Sequence, residues 1–220
     1  MRVTRVLGVA LVGLAVASTQ ASAQQWDDQF RWYVGAHGGV LGFETPSQTR
    51  AYVPTGGASL LIRAKRTGLL ISVDEAFGND ELTGYSDVNV STGVRRVTFD
   101  RIRKYSAMLT ANPLRGPTQP YFGLGFGLLQ VVNPTPQDVF TSPQQFTLAQ
   151  RLAQSKSTDG FVSVMAGIQA RVSGVIIFGQ YQMTSSPSPG NLLRGPSHGL
   201  TGGLRFGLGG SKEGIRGGGY

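Results

Sequence analysis

Large apolar residues alternate with small or polar ones along most of this chain. In "GFVSVMAGIQARVSGVIIFGQYQM", Gly160 to Met183, the alternation runs through two stretches separated by a Val-Ser-Gly turn. A period of two places successive side chains on opposite faces of a β-strand. Eight such stretches, separated by turn-forming residues, predict strands at approximately 30–43, 52–64, 68–77, 97–112, 120–132, 158–172, 175–185 and 197–208.

Helical periodicity is nearly absent. The segment "FTLAQRLAQ", Phe146 to Gln154, predicts one short helix within a loop. After the first residues of the chain, no apolar run approaches the roughly 20 residues that a transmembrane helix needs. The pattern therefore predicts an all-β protein.

The predicted connections alternate between short and long. Strands two and three are joined through "KRTG", four and five through "PLRGPTQ", and six and seven through "SG", whereas the gaps after strands three and five are long and polar. In an up-and-down barrel these connections fall alternately on the two rims. One tight rim and one elaborate rim are typical of outer-membrane barrels, which have short periplasmic turns and longer extracellular loops.

The two faces of the predicted strands differ in residue size. In the fifth strand, Phe122, Leu124, Phe126 and Leu128 share one face, and glycines occupy most of the other. Glycines facing water would weaken a strand and pack against nothing, whereas the interior of a narrow barrel needs small residues. We therefore predict that the apolar face contacts lipid, in an eight-stranded antiparallel up-and-down transmembrane β-barrel, the closed sheet that satisfies all backbone groups in hydrocarbon.

Several charged and amide side chains fall on the predicted inward face. They form a structural polar filling or, alternatively, line a narrow conduction path, although an eight-stranded barrel is usually filled by side chains. Buried charges of this kind require partners or water. The predicted inward polar residues are Arg63, Asp74, Lys104, Gln130, Gln169, Arg171, Gln180 and Arg205.

Aromatic residues fall near both ends of the predicted strands. With the N-terminus in the periplasm, this placement predicts two girdles at the membrane interfaces. Trp32, Phe122 and Phe206 belong to the periplasmic girdle, and Phe77, Tyr105 and Tyr181 to the outer one.

The amino-acid composition indicates that little of the protein surface faces water. Charged residues make up 15% of the 220 residues, and glycine occurs 32 times, against roughly 25% charged residues and 7% glycine in ordinary soluble domains. Hydrophobic residues at 40% suffice for one domain. The absence of cysteine excludes disulfides and cysteine metal sites.

The first 23 residues resemble a secretory signal peptide. Arg2 and Arg5 precede an apolar stretch, and Ala21-Ser22-Ala23 forms a small-x-small cleavage site. We expect a barrel domain over 24–209 and a flexible Gly-rich tail over 210–220. Removing the signal lowers the formal net charge from +8 to +6, and export makes nucleic acid an unexpected partner.

Three segments resemble the small OmpA/OmpX-like outer-membrane β-barrels. They are "WYVGAHGGVLGF" in the first strand, "YFGLGFGLL" in the fifth and "GLTGGLRFGL" in the last. The resemblance implies a monomer in the outer membrane, without cofactor or enzymatic activity, that has a structural or surface-interaction role. It also implies insertion by the barrel-assembly machinery, which reads an aromatic residue of the last strand, here Phe206.

Candidate catalytic residues are few. His37 and His198 are the two histidines, and Ser197 precedes His198. Adjacent strand residues point to opposite faces, which separates a nucleophile from its base. "GLGFG", Gly123 to Gly127, is not followed by a helix and does not match a phosphate-binding loop.

Basic residues are concentrated in "RRVTFDRIRK", Arg95 to Lys104. Arg95, Arg96 and Arg101 are candidates for contacts with phosphates of anionic outer-leaflet lipid, including lipopolysaccharide. The same residues are also compatible with a solvated hairpin extension.

Two other functional classes stay open at the level of sequence. A soluble periplasmic lipocalin-like carrier of a small apolar ligand would place the large apolar face inside the barrel. A lipid-modifying or proteolytic outer-membrane enzyme would require a further partner for one of the histidines.

Overall fold

The computed structural model describes residues 30–48, 50–114, 116–172 and 174–208. The predicted signal peptide and the predicted tail lie outside these residues. Within them the strands are β1 (Arg31–Glu44), β2 (Ala51–Ala64), β3 (Thr67–Ser86), β4 (Val94–Ala111), β5 (Thr118–Val132), β6 (Thr135–Pro136), β7 (Thr158–Val172), β8 (Val175–Thr184) and β9 (Arg194–Leu208), and helix α1 is Pro143–Ser155.

The eight long strands form a closed antiparallel barrel. Each pairs with its neighbours in the chain, β1 pairs with β9, and the β3–β4 pairing completes the ring. The two-residue β6 pairs only with the outer part of β4. The predicted eight-stranded up-and-down barrel is confirmed. No helix in the described part of the chain is long and apolar enough to cross a membrane.

The third strand is longer than predicted. We predicted that this strand ends at residue 77 and that a long polar connection follows. Instead the strand continues past a register shift between Phe77 and Glu81, with Asp80 at a φ of 55°. A bulge of this kind inserts extra residues without ending the pairing. The continued pairing of β3 with β4 makes a hairpin that extends beyond the other strands on the side of the long loops.

The loop helix begins earlier than predicted. Ser142 caps it by accepting a 3.3 Å hydrogen bond from the backbone N–H of Gln145, and Pro143 occupies the first turn. Proline fits there because the first backbone N–H groups of a helix have no intrahelical partner. The serine and proline were the local signal for this start.

Large apolar side chains point out of the barrel. Phe122, Leu124, Phe126 and Leu128 of β5 are 52–69% exposed, whereas Tyr121 on the other face is 2% exposed. The outward faces of β7, β8 and β9 follow the same rule. A continuous apolar band of this extent is unfavourable in water and matches hydrocarbon. The predicted orientation is confirmed, and it is the reverse of what a soluble apolar-ligand carrier requires.

The interior has layers, which refines the expectation of a polar side-chain filling. A polar belt in the middle lies between two groups of buried apolar side chains. The belt consists of His37, Ser72, Asp74, Lys104, Ser106, Ser163 and Gln182. The outer cluster consists of Leu41, Phe43, Ala51, Val53, Ala76, Tyr85, Val97, Phe99, Ile102, Leu129, Val131, Ala153, Phe161, Leu192 and Leu193. The inner cluster, toward the chain termini, consists of Tyr33, Leu61, Leu70, Met108, Tyr121, Met165, Ile176 and Phe178.

The outer cluster forms because the strands continue beyond the outward apolar band. There the loops and α1 cover the barrel end, and Ala153 of the helix packs among strand residues. The hydroxyl of Thr83 also donates a hydrogen bond to the carbonyl oxygen of Leu192 in the last long loop. This end of the barrel is therefore an ordinary protein core closed by its own loops.

The placement of Gln130 was predicted wrongly. Its neighbours Leu129 and Val131 are buried in the outer cluster, so alternation directs Gln130 outward. The polarity of an amide side chain suggests an inward position, but the alternation along the strand determines to which face of the sheet the side chain points.

Candidate functional site

The polar belt is built around Asp74 of β3. One carboxylate oxygen, Oδ1, is hydrogen-bonded to Nε2 of His37, and the other, Oδ2, accepts a 3.0 Å bond from the hydroxyl of Ser72 and lies 3.6 Å from Nζ of Lys104. All four residues are buried. A buried charge requires an opposite charge and hydrogen bonds, and this carboxylate has both.

The belt continues across the barrel from Lys104. Its Nζ donates a 2.8 Å hydrogen bond to Oε1 of Gln182, whose Nε2 donates at 2.8 Å to the hydroxyl of Ser163. The hydroxyls of Ser72 and Ser106 are 2.8 Å apart. The connected side chains come from β1, β3, β4, β7 and β8, so the belt ties together strands from opposite walls.

Two glycines make room for His37. It faces Gly57 of β2 and Gly203 of β9 in the sheet register. A Cβ at Gly57 would lie 2.9 Å from Nε2 of His37 and 2.8 Å from Oδ1 of Asp74, and one at Gly203 would lie 2.6 Å from Cβ of His37. These distances are too short for a real side chain, and backbone carbonyl oxygens lie closer still, at 2.5 Å or less. The small inward residues are therefore required both by the polar belt and by the close approach of the backbone.

Arg205 lies between the belt and the inner cluster, with 1% of its surface exposed. Its guanidinium carbon stacks 3.6 Å from the ring centroid of Phe178, a close cation–π contact. Nη2 donates to Oε1 of Gln180 at 3.3 Å, and the same oxygen accepts a 2.9 Å bond from the hydroxyl of Tyr121. Nε contacts the hydroxyl of Ser59 at 3.4 Å.

Arg63, Gln169 and Arg171 occupy the inward face toward the other end of the barrel. Nη2 of Arg63 donates a 2.7 Å hydrogen bond to Oε1 of Gln119, and Nε2 of Gln169 lies 3.5 Å from the same oxygen. Arg171 is half-buried on the same face of β7. The predicted polar residues thus form separate groups: Asp74 with Lys104, Gln180 with Arg205, and Arg63 with Gln169 through Gln119.

Several residues of these groups were missed by the sequence interpretation. Ser72 lies two residues before Asp74, Ser106 two after Lys104, and Gln182 two after Gln180. The same period of two that selected their neighbours would have found them. His37 was considered only as a catalytic residue, although it lies on the inward face of β1.

The space beside the belt is small. A void of about 10 Å³ lies against Asp74 and Lys104, lined also by residues of the outer cluster. This is room for about one water molecule. The belt is therefore a packed layer in which most polar groups are bonded to one another, whereas Nδ1 of His37 is buried without a hydrogen-bond partner among the described residues.

The structure places Arg95 inside the outer cap, defined here as the β3–β4 tip (residues 81–99), residues 133–142 and α1. It is 8% exposed. Nε donates a 2.7 Å bond to Oδ2 of Asp87, Nη1 lies 3.3 Å from Oδ2 of Asp138, and the guanidinium is 5.1 Å from the ring centroid of Phe140. A guanidinium held in this way does not face lipid phosphates, so the lipid-contact prediction for Arg95 is wrong.

Asp87 and Tyr85 attach the hairpin tip to the rest of the cap. Asp87 Oδ1 accepts bonds from the backbone and side-chain nitrogens of Asn89, at 2.9 and 3.0 Å. The backbone bond of Asn89, followed by the Arg95 bond, holds the pKa of Asp87 below its ordinary 3.8. The hydroxyl of Tyr85 donates a 3.0 Å bond to the carbonyl of Ala149 in α1, and burial raises the pKa of Tyr85 above 10.0.

A cleft of about 680 Å³ opens between the hairpin tip and α1. Its walls combine charged, amide and apolar side chains. The lining residues are Asp87, Asn89, Val90, Ser91, Arg95, Asp138, Val139, Phe140, Thr141, Gln145, Leu148, Ala149 and Leu152.

Arg96 and Arg101 lie on the outside of β4. Both are exposed, and Nη1 of Arg101 is 3.3 Å from Oε1 of Glu75, an oxygen that Nη2 of Arg103 approaches equally closely. Their contact with lipid stays a prediction. The six girdle aromatics, Trp32, Phe77, Tyr105, Phe122, Tyr181 and Phe206, are all exposed on the outward face, and their depth in a membrane stays a prediction.

The histidine and serine candidates are not arranged for nucleophilic catalysis. Ser197 is buried, and its hydroxyl is 2.8 Å from that of Thr184. His198 lies on the other face, with Nδ1 2.6 Å from the hydroxyl of Tyr181. No group of three or more metal-ligating side chains occurs in the ranges that the structure describes.

This architecture, with its lipid-compatible exterior and filled interior, is that of a small outer-membrane β-barrel. No family model matches the chain, and no curated protein matches it. Among solved structures it is similar to Neisserial surface protein A, with a TM-score of 0.53 and 14% identity over 80% of this chain and 96% of that one.

Two Pseudomonas aeruginosa structures show weaker similarity. The N-terminal β-barrel domain of OprF has a TM-score of 0.43 and 11% identity over 82% of this chain and 100% of that one. The outer membrane protein OprG has a TM-score of 0.38 and 10% identity over 83% and 98%. The similarity to the Neisserial protein supports the fold alone, and at that level it confirms the resemblance to small outer-membrane barrels.

Proposed function

We propose that the protein is a monomeric, non-conducting and non-enzymatic outer-membrane β-barrel that acts through interactions of its outer cap at the cell surface. The barrel anchors and orients the cap, and the cap carries the contact surface. This division of roles is common in scaffolds whose function lies in the loops.

The observation that supports this proposal best is the filling of the interior. The outer cluster, the polar belt and the inner cluster follow one another along the barrel axis. Val97 is 0%, Ser163 1% and Met108 1% exposed, one residue from each level. Side chains packed in this way along the described strands support a barrel without a continuous aqueous path.

The proposed location has two supports besides the fold. The apolar band on the outside matches hydrocarbon, and the first 23 residues have the charge, apolar stretch and cleavage pattern of an export signal. We propose that the chain is exported through the inner membrane, loses this signal and is inserted by the barrel-assembly machinery. Unheated and boiled samples of the outer-membrane fraction should migrate differently in gel electrophoresis.

Conductance tests the central proposal. Purified, folded protein should insert into a planar lipid bilayer without producing stable current steps. Insertion itself is checked by protease protection of the barrel and by the heat-dependent gel shift. Reproducible single-channel steps from folded wild-type protein would refute the non-conducting assignment.

A second proposed interaction is with anionic outer-leaflet lipid through Arg96 and Arg101. Its support is the exposure of both guanidinium groups on the outward side of β4. Replacing both with Gln should lower the lipopolysaccharide that copurifies with the barrel several-fold, and the remaining association should depend less on salt. Arg151→Gln, an exposed arginine on α1, is the matched control. Equal lipopolysaccharide in all three proteins would exclude this contact.

The non-enzymatic assignment is supported by the contacts of both histidines. His37 is sealed within the polar belt, and His198 is separated from Ser197 by the sheet. If lipid A or peptide hydrolysis is found with the wild-type protein, its loss in a His198→Ala variant would contradict the assignment.

A further inference from the structure

The cleft in the outer cap has the size of a small-molecule site. Its volume of about 680 Å³ falls within the roughly 300–1,000 Å³ of typical ligand pockets. It lies between elements fixed by named contacts, since Tyr85 bonds to Ala149 in α1 and Arg95 links Asp87 to Asp138. The walls of the cleft are therefore held in place by hydrogen bonds and ion pairs before any ligand binds.

One wall of the cleft is apolar. Leu148 and Leu152 lie one turn apart on α1 and are 59% and 45% exposed, and Val139 on the facing segment is 97% exposed. The opposite side of the same helix uses Ala153 to pack against the barrel. Large apolar side chains gathered at an open cleft favour an apolar ligand body.

The charged groups of the cleft are unequal in number. One guanidinium, Arg95, faces two carboxylates, Asp87 and Asp138. Both oxygens of Asp87 are engaged, by Asn89 and by Arg95. Asp138 accepts from Arg95 through Oδ2 alone, and no hydrogen bond reaches its Oδ1 from the part of the chain that the structure describes.

The side chain of Asp138 is 18% exposed, and the residue lines the cleft. A carboxylate with little contact with water, beside apolar walls, favours a cationic group that donates hydrogen bonds to it. An anionic ligand would meet two carboxylates and an arginine whose charge is already matched. The charged side chains of the cleft therefore favour a ligand with a positive charge.

We propose that the cleft binds a small organic cation, with an apolar body against Leu148, Leu152 and Val139 and an ammonium or guanidinium group at Asp138. This deepens the surface-interaction role proposed above and rests on it, because it gives the outer cap a ligand class. The Arg95 contacts keep the two carboxylates in place and hold the hairpin tip beside α1.

Three probes with one apolar body test the proposal: 4-phenylbutylammonium, 4-phenylbutanol and 4-phenylbutanoate. Their binding to the full-length protein in nanodiscs of zwitterionic lipid is measured by calorimetry or saturation-transfer NMR, with empty nanodiscs subtracted. The cation should bind at least tenfold more tightly than the carboxylate analogue, and the alcohol should lie between them.

Asp138→Asn should remove most of this preference and leave the affinity for the alcohol unchanged. Asp100→Asn, an exposed carboxylate on β4 that does not line the cleft, is the matched control and should retain the preference. Val139→Lys places a cation at a fully accessible position and should weaken the ammonium probe more than the alcohol, because all three probes lose one apolar contact but only the ammonium is also repelled. Because Val139 is so exposed, this variant tests the site even if Asp138→Asn alters the cap.

Equal affinity for the three probes, saturable binding of none of them, or an unchanged preference in both Asp138→Asn and Val139→Lys would overturn the proposal. Conductance is measured on the same preparations. A conducting protein with selective cation binding would refute the non-conducting function and retain the cleft assignment. A folded, non-conducting protein without selective binding would refute the cleft assignment alone.

Discussion

The polar belt and the outer cap have opposite ratios of acidic to basic side chains. In the belt one carboxylate, Asp74, is shared by two basic side chains, His37 and Lys104. In the cap one guanidinium, Arg95, is shared by two carboxylates. The belt borders a void of about 10 Å³ and the cap a cleft of about 680 Å³. Similar ion pairs therefore have a structural role where they are fully enclosed by packed side chains. They become candidate ligand-binding groups where they line a large cleft.

The largest expected effect is at the centre of the belt. Asp74→Ala leaves Lys104 buried without its carboxylate, and breaking a buried pair in this way costs about 3–5 kcal/mol of unfolding free energy. Urea unfolding in lipid vesicles, followed by the heat-dependent gel shift, measures the loss. Asp100→Ala, at an exposed site, should change the unfolding free energy by less than about 0.5 kcal/mol. Equal stability of the two variants would contradict the structural role of the belt.

A smaller effect should come from the space around His37. Gly57→Ala introduces a Cβ within 3 Å of His37, Asp74 and a backbone carbonyl, and such overpacking costs about 1–3 kcal/mol. Gly56→Ala is the adjacent control, because the nearest atom to its added Cβ is 3.8 Å away. The same unfolding assay should separate the two neighbouring positions. If both alanines are tolerated equally, glycine at position 57 is not required by its close neighbours.

In the cap, Arg95→Gln should act locally. The loss of charge-assisted bonds to Asp87 and Asp138 should reduce the local free energy of opening by about 1–2 kcal/mol. Hydrogen exchange measured by mass spectrometry should become faster at the hairpin tip and α1 and stay unchanged in β7 and β8. Uniformly faster exchange over the whole barrel would show that the cap and the barrel unfold as one cooperative unit. This result would contradict a cap that opens locally.

The smallest expected effect is the response of the cap to acid. The folded-state pKa of Asp87 lies below 3.8, so its ionised form stabilises the cap at every pH above that ordinary value. The contribution is lost as the pH falls through the lowered pKa. Pepsin cleavage within residues 133–157, compared between wild type and Asp87→Asn, should differ at pH 4.5 and converge in stronger acid. A constant ratio across this range would contradict the role of Asp87.

The sequence by itself determined the class of fold and the face of most side chains. Alternation and connection length predicted eight strands, an outward apolar band and the inward position of Asp74, because both signals depend on a few adjacent residues. The same rule, applied consistently, would have placed Gln130 outward and Ser72 and Gln182 inward. The bulge at residues 77–81 defeated it, since a bulge is not recognisable from local residues when the partner strand is unknown.

The tertiary structure alone decided which of these residues meet. His37 and Asp74 are 37 positions apart, Lys104 and Gln182 are 78, and Arg95 and Asp138 are 43. Such contacts depend on strand register, barrel closure and the position of α1 over the outer end. For this reason Arg95, a plausible lipid contact by its local charge, lies in a buried ion pair, and the cleft beside it has no signature in the sequence. Local periodicity fixes a direction for each side chain, whereas closure of the sheet fixes its neighbours.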